Sequence, residues 1–434
     1  MNLVTRKIED RNTDTVLLKP VGHALNENPE VSMVVPALNE EVTVGEFVDW
    51  CKEGLEKAGV KGQVLIVDSS TDKTAEIALT HGAEVLKVPK RGLGRAYIDA
   101  IPFIRGRYVI MGDADLTYEF REITSFVKKF REGYEFVMGS RFKGTIEKGA
   151  MPPLHQYFGT PLTTWILNFI YRSKFSDIHC GMRGITHDGL VRMRLASQSW
   201  QYASEMIIKA LHLGLRISEV PINFYKDREG RVSNFKRIGW FAPWHAGWLT
   251  LKAIFTFGAD FFLFQPGQIL AAVGLVGVVF LYGGPVAAFG IGLSLHWMLF
   301  FLLLFLVGLQ FFFMGILARA IYDSEKRHSP KWLRLFGFSR SSLASAGIFL
   351  VGLLSMWPLV VEYVDNGFAL PPQIGKSSYQ AVGGIGLVFA AVIYFTFSLV
   401  YNAVMAATPN TPQMPPVEPA RVTDKEPVAG VSRD

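Results

Sequence analysis

Cysteine is scarce in this chain of 434 residues, and one long stretch lacks charged residues altogether. The two cysteines, Cys51 and Cys180, have a spacing that fits neither a metal site nor a disulfide framework, so nothing requires an oxidising compartment. From Phe261 to Ala318 there is no Asp, Glu, Lys or Arg. This run exceeds the roughly 40 residues that two membrane-spanning helices need. The sequence therefore predicts a charged half followed by a membrane half.

A signal peptide is also missing, because the first twenty residues contain no continuous apolar core. We therefore expect the charged half to remain cytosolic, anchored at the plasma or inner membrane. The net charge of +6 is modest, and the chain contains no nucleic-acid-binding motif. No nucleic-acid partner is expected, and a homo-oligomer is compatible with the sequence.

Short apolar runs alternate with helical patterns in the charged half. The predicted strands are Ser32–Val35, Val64–Asp68, Ala83–Val88, Tyr108–Gly112 and Phe136–Gly139. The predicted helices lie near Glu40–Lys57, Thr71–His81, Gly94–Ile104 and Arg121–Arg131. This alternation predicts an α/β fold with a mostly parallel sheet. Ligands of such sheets bind beyond the carboxyl ends of the strands, where the polar motifs of this half occur.

Four membrane helices are predicted in the second half. They are Gln268–Ala288, Trp297–Ala318, Ser342–Val361 and Gln380–Ala406. Five basic residues between positions 326 and 340 follow the second helix, which places that loop and both chain ends in the cytosol. The domains expected are a flexible arm (1–30), a catalytic domain (31–235), interfacial helices (236–260), a membrane domain (261–408) and a disordered tail (409–434).

Two further segments have an apolar character that suits the membrane surface. Trp240, Trp244 and Trp248 recur every four residues beside basic residues, which favours a helix in the headgroup layer over core packing. Tyr157–Tyr171 is too short to span a bilayer. It is either a core helix or a helix that dips into the membrane, and the sequence leaves both open.

Asp113-Ala114-Asp115 is the strongest chemical motif, since it follows the apolar strand RYVIMG. Two carboxylates two residues apart near a strand end can point to one side. Such a pair suits a divalent cation, Mg²⁺ or Mn²⁺, that bridges the phosphates of a nucleotide. The alternative is a solvated turn, because the motif is common by chance.

Other motifs follow the first three strands. Residues 34–40 end a strand and begin a helix, where backbone N–H groups face a ligand. Asp68 is placed to accept a hydrogen bond from the imide of uracil or guanine, while Ser70 or Thr71 alternatively caps the next helix. Gly92 and Gly94 lie between Arg91 and Arg95, either for close approach to a phosphate or simply as a turn.

Seven motifs in order resemble those of family 2 glycosyltransferases with a GT-A fold. They are VVPALNEE, VDSSTDKT, RGLGRAY, MGDADLTYE, MGSRF, SDIHCGMRGIT and SEMIIKALHLGLRISEVPI, within about residues 30–240. They most resemble the dolichyl-phosphate mannose synthase and polyprenyl-phosphate glycosyltransferase branch. The resemblance implies a Rossmann-like GT-A domain followed by membrane helices, and an inverting, metal-dependent transfer of a hexose from a UDP- or GDP-sugar to a polyprenyl phosphate.

The resemblance also implies roles for individual residues. Asp113 and Asp115 would hold the metal and diphosphate. The catalytic set would be Asp115, Arg141, Arg183, Arg228 and Arg231. The substrate pocket would contain Pro36, Asn39, Glu40, Asp68, Gly94, Arg95, Asp113, Asp177, Glu205 and Ser233. A salt bridge is the alternative for Arg141, and a buried ion pair for Glu205.

Two departures from the family pattern leave choices open. The loop around Arg231 lacks the usual Gly and has Asn234 where a Lys is common, so either Arg228 or Arg231 is the key cation. Val67-Asp68-Ser69 contains one acidic residue where many members of the family carry two adjacent ones. The base of the nucleotide, uracil or guanine, therefore stays open. A phosphate monoester, with a second pKa near 6, is already an anionic nucleophile and needs no general base. The implied site is thus rich in cations, with Arg91, Arg95, Arg141, Arg183, Arg228 and Arg231.

Three other functions compete with this one. A processive polysaccharide synthase would carry Gln-x-x-Arg-Trp after the metal motif, and the nearest match, Gln198-Ser199-Trp200, lacks the Arg. A transferase acting on a neutral membrane lipid such as ceramide needs a general base, for which Asp177 or Glu205 are the candidates. A non-catalytic membrane scaffold or flippase partner has no need of both Asp113 and Asp115.

Overall fold

The computed structural model describes residues 5–6, 14–20, 22–23, 25–228, 248, 251–252, 255–256, 258–288, 290–322, 335–369 and 373–407. Residues up to 228 form an α/β domain, and those from 258 onward are mostly helical. Cys51 and Cys180 are both buried and free.

Nine strands form one sheet in the order β1-β2-β5-β4-β3-β6-β8-β7-β9. They are β1 (Thr5–Arg6), β2 (Val16–Leu18), β3 (Val31–Ala37), β4 (Gly62–Asp68), β5 (Glu84–Lys87), β6 (Tyr108–Met111), β7 (Phe136–Ile146), β8 (Arg183–Thr186) and β9 (Ile217–Phe224). Strands β3 to β7 and β9 run in one direction, while β2 and β8 run against them. The mostly parallel sheet is therefore confirmed.

Seven helices of this domain follow or connect the strands. They are α1 (Val44–Lys57), α2 (Thr74–Thr80), α3 (Leu93–Ala100), α4 (Thr124–Arg131), α5 (Thr160–Tyr171), α6 (His187–Met193) and α7 (Tyr202–His212). The central strands β3 and β4 are buried almost throughout, as expected for continuous apolar runs of a parallel sheet covered on both faces. Helix α1 buries Phe47, Val48, Cys51 and Leu55, and the Phe47 ring meets Phe120 edge-on at 4.8 Å.

Part of the predicted N-terminal arm joins the sheet instead of lying loose. Strand β2 pairs antiparallel with β5, and Leu17 enters the domain core. The prediction of an irregular arm was wrong at these residues. The short apolar run Val16–Leu18 satisfies the exposed edge of β5, which no sequence period reveals.

Four long helices follow, each long and apolar enough to cross a membrane. They are α8 (Ala259–Leu281), α9 (Leu295–Tyr322), α10 (Phe338–Asp365) and α11 (Lys376–Ala407). The first begins nine residues before its predicted start at Gln268. The predicted end was also wrong, because Gly283-Gly284-Pro285 stops the helix, and Val286–Ala288 pairs with Ile291–Leu293 in a short hairpin.

The membrane helices pack through glycines. An added Cβ at Gly274 of α8 would collide with the backbone of Phe305, and one at Gly308 of α9 with the backbone of Ala271. Gly352 and Gly384 face each other between α10 and α11 in the same manner. Small residues that let backbones approach are the usual interface of membrane helices, so α8–α9 and α10–α11 are two tight pairs.

Candidate active site

The carboxyl ends of β3, β4, β5 and β6 meet at one edge of the sheet. Ala37 lies opposite Asp68, and Asp68 lies opposite Lys87. The antiparallel strand β8 begins at this edge, where Arg183 lies beside both Met111 and Met138. The motifs predicted after separate strands therefore converge, as expected for a sheet of this type.

The loop after β6 holds Asp113 and Asp115 in a fixed shape. Asp115 Oδ1 accepts hydrogen bonds from Thr117 N at 3.0 Å and Thr117 Oγ1 at 2.6 Å. Leu116 is buried with φ of 62°, an uncommon conformation for a bulky residue. Ala114 O accepts a hydrogen bond from Thr43 Oγ1 at 3.0 Å, which ties this loop to the start of α1.

Three buried tyrosines surround Asp113. Tyr97 Oη donates to Gly112 O at 3.0 Å, and Tyr118 Oη accepts from Gly181 N at 2.8 Å. Burial is the main cause that raises the pKa of Tyr97 and Tyr118 and brings the pKa of Tyr202 to about 12, and the charge of Asp113 acts in the same direction. These phenols therefore stay protonated at neutral pH.

Gly181 also limits the space around Asp113. A Cβ added to Gly181 would lie 2.8 Å from Asp113 Oδ2 and 2.9 Å from Tyr118 Oη. A side chain at this position would therefore force the Asp113 carboxylate or the Tyr118 phenol to shift.

The donor set at this loop consists of two carboxylates. Among the residues that the structure describes, no group of three or more His, Cys, Asp or Glu side chains is arranged to hold a metal ion. Mg²⁺ commonly binds through one or two carboxylates plus substrate phosphates, so Asp113 and Asp115 suit a metal that arrives with a nucleotide.

The loop after β3 is braced against the loop after β4. Asn39 has φ of 58°, and its backbone N donates to Ser70 Oγ at 2.7 Å. Asn39 Oδ1 accepts from Thr71 N at 3.1 Å, and Glu40 N donates to Thr74 Oγ1 at 2.9 Å. The two predicted pocket loops thus form one unit, with Asn39 exposed at its surface.

Asp68 is fully buried, with a partner on each carboxylate oxygen. Oδ1 accepts from Ser70 N at 3.0 Å, and Oδ2 pairs with Lys87 Nζ at 2.6 Å. In this arrangement Asp68 fixes the loop after β4. Its predicted hydrogen bond to a base stays a prediction, and it requires the carboxylate to become accessible.

Arg91 and Arg95 share one carboxylate. Arg91 Nη2 lies 3.1 Å from Asp99 Oδ2, and Arg95 Nε lies 2.8 Å from Asp99 Oδ1. Both arginines are about one-third exposed, whereas Asp99 is buried. The formal charges of these three side chains sum to +1 at the start of α3.

Close packing explains the two glycines at the turn into α3. Gly92 has φ of 115°, and a Cβ there would collide with Gln198 O. A Cβ at Gly94 would collide with Ser197 O, and Arg95 N donates to Gln198 O at 3.1 Å. The start of α3 is thus packed against residues 196–199.

Glu205 holds those same residues from the other side. Its carboxylate accepts from Ala196 N and Ser197 N, both at 2.8 Å, and pairs with Lys209 Nζ at 2.6 Å. The side chain is fully buried. This geometry matches the buried ion pair named as the alternative to a sugar contact.

Arg141 and Asp177 form one buried ion pair. Nε and Nη2 of Arg141 contact the two oxygens of Asp177 at 2.7 and 2.9 Å, and the guanidinium lies 5.3 Å from the Phe224 ring centre. Burial opposes ionisation of Asp177, but the hydrogen bonds and charge of Arg141 outweigh it and lower the Asp177 pKa. Bidentate geometry makes this a strong contact. The alternative of a salt bridge at Arg141 is what the structure contains, buried rather than at the surface.

Arg183 is a fully buried cation held by carbonyls. Its Nη1 donates to Ala203 O at 2.9 Å and its Nη2 to Cys180 O at 2.5 Å. Burial raises the pKa of the neighbouring Cys180 thiol to about 12. Cys180 is therefore neutral and serves packing.

The last predicted loop is described only in part. Arg228 is exposed and pairs with Glu46 at 2.5 Å. Arg231, Ser233 and Asn234 lie outside the described residues, as do Trp240 and Trp244.

Known proteins resemble this chain over much of its α/β domain and, in one case, over most of its length. The family described as glycosyl transferase family 2 matches residues 32–193. The low-salt glycan biosynthesis hexosyltransferase Agl6 of Haloferax volcanii is 33% identical over 84% of this chain and 88% of its own length. The chain belongs to glycosyl transferase family 2. It is a membrane-associated glycosyltransferase.

Two further similarities cover the catalytic domain of this family 2 enzyme. A dolichyl-phosphate hexose transferase of Haloferax volcanii is 29% identical over 47% of this chain and 86% of its own length. The mannosyl-3-phosphoglycerate synthase structure from Rubrobacter xylanophilus covers 52% of this chain and 74% of its own, with 23% identity and a TM-score of 0.42. At that score the structural likeness has no bearing on substrate or metal.

Sequence reasoning missed several residues that shape this family 2 site. Tyr97 and Tyr118 stand inside motifs that were recognised, but their contacts with Gly112 and Gly181 arise only in the fold. Thr43, Lys87 and Asp99 are also partners of site residues. Only Asp99 had a local signal, since it lies four residues after Arg95 on one helix.

Proposed function

We propose that this enzyme transfers a hexose from a UDP- or GDP-sugar to a polyprenyl phosphate, with inversion, at the cytosolic face of the plasma or inner membrane. The observation that carries the proposal is the state of Asp177 and Glu205, the two candidate general bases. Each is buried in an ion pair, with Arg141 and Lys209 respectively. An acceptor that needs no general base fits such a site best, and a phosphate monoester is one.

The relatives support the same class of acceptor. One relative is named as a hexosyltransferase, and another as a dolichyl-phosphate hexose transferase. The four apolar helices would keep the catalytic domain close to a lipid acceptor. The basic loop around residues 326–340 favours a cytosolic catalytic domain.

A divalent metal, Mg²⁺ or Mn²⁺, belongs to the proposal. Asp113 and Asp115 would hold it together with the donor diphosphate, and it would supply charge neutralisation for the leaving group. The loop fits this task because Thr117 and Thr43 fix its shape without contributing charge. The three surrounding tyrosines stay protonated, so they add no negative charge beside Asp113.

The remaining residues would orient the two substrates. Asn39 and Glu40 lie where the nucleotide would enter, at the braced loops after β3 and β4. Arg91 and Arg95, which share Asp99, lie at the start of α3 and would meet a donor phosphate there, while Gly94 packs against Ser197 O. Arg228, Arg231 and Ser233 would close over the phosphates, and in that case Arg228 must leave Glu46.

A panel assay tests the proposal. The full chain in nanodiscs is incubated with labelled UDP- and GDP-hexoses and either polyprenyl phosphate or the matched polyprenol, with Mg²⁺, Mn²⁺ or EDTA. We expect a labelled lipid from polyprenyl phosphate only, and only with metal. Transfer to polyprenol would replace the proposal with a neutral-lipid transferase. No labelled product from any nucleotide-sugar, with either metal, would favour the scaffold.

A further inference from the structure

Helix α5 and the turn before it expose large apolar side chains on one face of the catalytic domain. The π-helical turn His155–Gly159 leads directly into Thr160–Tyr171. The exposed apolar residues are Leu154, Tyr157, Phe158, Leu162, Trp165 and Phe169, which we call the α5 apolar face. Most of them recur at intervals of three or four residues, which places them on the same side of the helix.

The opposite side of α5 is anchored in the domain. Thr164, Leu167 and Ile170 are buried. Asn168 Nδ2 donates to Phe175 O at 2.8 Å, while its Oδ1 accepts from Phe175 N at 2.9 Å. The exposed face is therefore a fixed surface of the fold and not a loosely attached segment.

The loop that holds α5 in place is the loop that contains Asp177. Thr163 Oγ1 lies 2.8 Å from His179 Nε2, and Ile178 N lies 3.5 Å from Thr164 Oγ1. Asp177, between these contacts and Phe175, pairs with Arg141. The loop from Phe175 to His179 thus links the α5 apolar face to the catalytic edge.

The chemistry of the segment fits a lipid surface. Trp165 and Phe169 stack at 5.8 Å between ring centres and are each more than 60% exposed. Exposed cations lie at both ends, with Lys148 before the segment and Arg172 and Lys174 after it. From Lys148 to Lys174 the chain contains no Asp or Glu. Aromatic residues bordered by cations suit the headgroup region of an anionic bilayer.

We propose that the α5 apolar face inserts into the headgroup boundary of the bilayer in which α8 to α11 are embedded. It would be a second membrane contact, separate in sequence from the four spans. The insertion would bring the loop from Phe175 to His179 to the membrane surface. This inference goes beyond the proposed function and does not depend on the sugar or the acceptor.

Site-specific quenching tests the insertion. Trp165→Cys and Phe169→Cys are labelled with an environment-sensitive fluorophore in the full chain, reconstituted in nanodiscs of phosphatidylcholine and phosphatidylglycerol. Native Cys51 and Cys180 are buried, so the label goes to the introduced thiol. Val42→Cys and Val191→Cys, at exposed positions outside the α5 apolar face, are the matched controls.

We expect nitroxide-labelled lipids to quench positions 165 and 169, and aqueous iodide to quench the controls. Quenching of 165 and 169 by iodide but not by lipid would overturn the insertion. Protection from both quenchers that disappears at one chain per nanodisc would also overturn it, since a second copy would then cover the face.

A functional measurement separates this inference from the proposed function. With Trp165→Glu and Phe169→Glu combined, we expect transfer to polyprenyl phosphate in the bilayer to fall roughly tenfold. Donor nucleotide-sugar binding should stay unchanged, and Trp165→Phe should retain activity. Equal transfer by the double variant and the unmodified chain would contradict a role in transfer. Absence of transfer by the unmodified chain would instead contradict the proposed function, while the quenching result would stand.

Discussion

The two sides of the catalytic edge are built in opposite ways. On the acidic side, backbone and hydroxyl groups brace Asp113 and Asp115, with Thr43, Thr117 and neutral tyrosines around them. On the cationic side, most arginines already have a carboxylate. Five described arginines (91, 95, 141, 183 and 228) face three partner carboxylates (Asp99, Asp177 and Glu46), which leaves two positive charges.

The pairing of most arginines with carboxylates bears on which group would neutralise the phosphates of the substrates. Asp113 and Asp115 offset these two charges, so the formal charges of these five arginines and five carboxylates sum to zero. A donor diphosphate and an acceptor phosphate would then need a divalent cation. The cation-rich site stays a prediction, and in the structure Arg91, Arg95, Arg141 and Arg228 are paired with carboxylates.

Replacing Asp115 by Asn tests the acidic side most directly. The amide keeps an oxygen for Thr117 and removes the charge, so the loop should persist while metal affinity falls. We expect transfer to drop about 10³-fold, equivalent to roughly 4 kcal/mol. Initial rates at several Mn²⁺ concentrations measure it.

Asp72→Asn is the control for that variant, because Asp72 also accepts a Thr hydroxyl but lies in the loop before α2. Its rate should change less than twofold (about 0.4 kcal/mol). Full activity of Asp115→Asn would sink the metal assignment.

Breaking the pair of Arg141 and Asp177 tests the cationic side. Arg141→Ala leaves Asp177 buried without its partner, and we expect a loss of about 3 kcal/mol in the free energy of unfolding. Urea unfolding of the full chain in detergent, followed by circular dichroism, measures it.

The matched control removes both charges. Arg141→Met combined with Asp177→Leu should recover most of the lost stability, because no unpaired charge remains. If Arg141→Ala instead unfolds like the unmodified chain and loses transfer, Arg141 would be a phosphate ligand.

The contrast between the two sides also explains what could be predicted from sequence. Asp113 and Asp115 follow directly after an apolar strand, and strand order then places them at the ligand edge. The partners of Arg141 and Glu205 are different. Arg141 meets Asp177 across 36 residues of chain, and Glu205 bonds two backbone N–H groups in a loop that has no regular period. Pairings of that kind follow from packing and not from local pattern.

The fold could likewise be predicted from local sequence patterns only in part. Alternating strand and helix patterns predicted the sheet, because parallel strands buried on both faces are strongly apolar. Strand β2 and the early start of α8 escaped prediction. The first depends on an unfilled sheet edge, and the second on a helix that runs through Pro266 near its start.

Replacing Glu205 by Gln tests whether this residue supports the loop that packs against the start of α3. The amide loses the charge that pairs with Lys209 and places an NH₂ beside the N–H groups of Ala196 and Ser197. We expect a loss of about 2 kcal/mol in the free energy of unfolding. Because these residues support Gly94 and Arg95, KM for the nucleotide-sugar should rise more than kcat falls. A fall in kcat with unchanged stability and KM would point to a direct sugar contact.

The smallest expected effect concerns His179, beside the Arg141–Asp177 pair. Burial is the main cause that lowers the pKa of His179 to about 4 from 6.5; the negative charge of Asp177 opposes this shift, and the positive charge of Arg141 adds to it. A neutral His179 leaves the pair of Arg141 and Asp177 balanced one to one.

Because the unfolded chain binds the His179 proton more readily than the folded chain, stability is full above pH 6.5 and falls as the pH drops toward 4. We expect His179 to contribute a loss of about 1 kcal/mol between about pH 6.5 and about pH 5.5. His179→Gln keeps a group for Thr163 but cannot titrate, so its urea midpoint should vary less over this range. An unchanged pH slope in that variant would mean that His179 binds its proton equally well in the folded and the unfolded chain, which would contradict the lowered pKa.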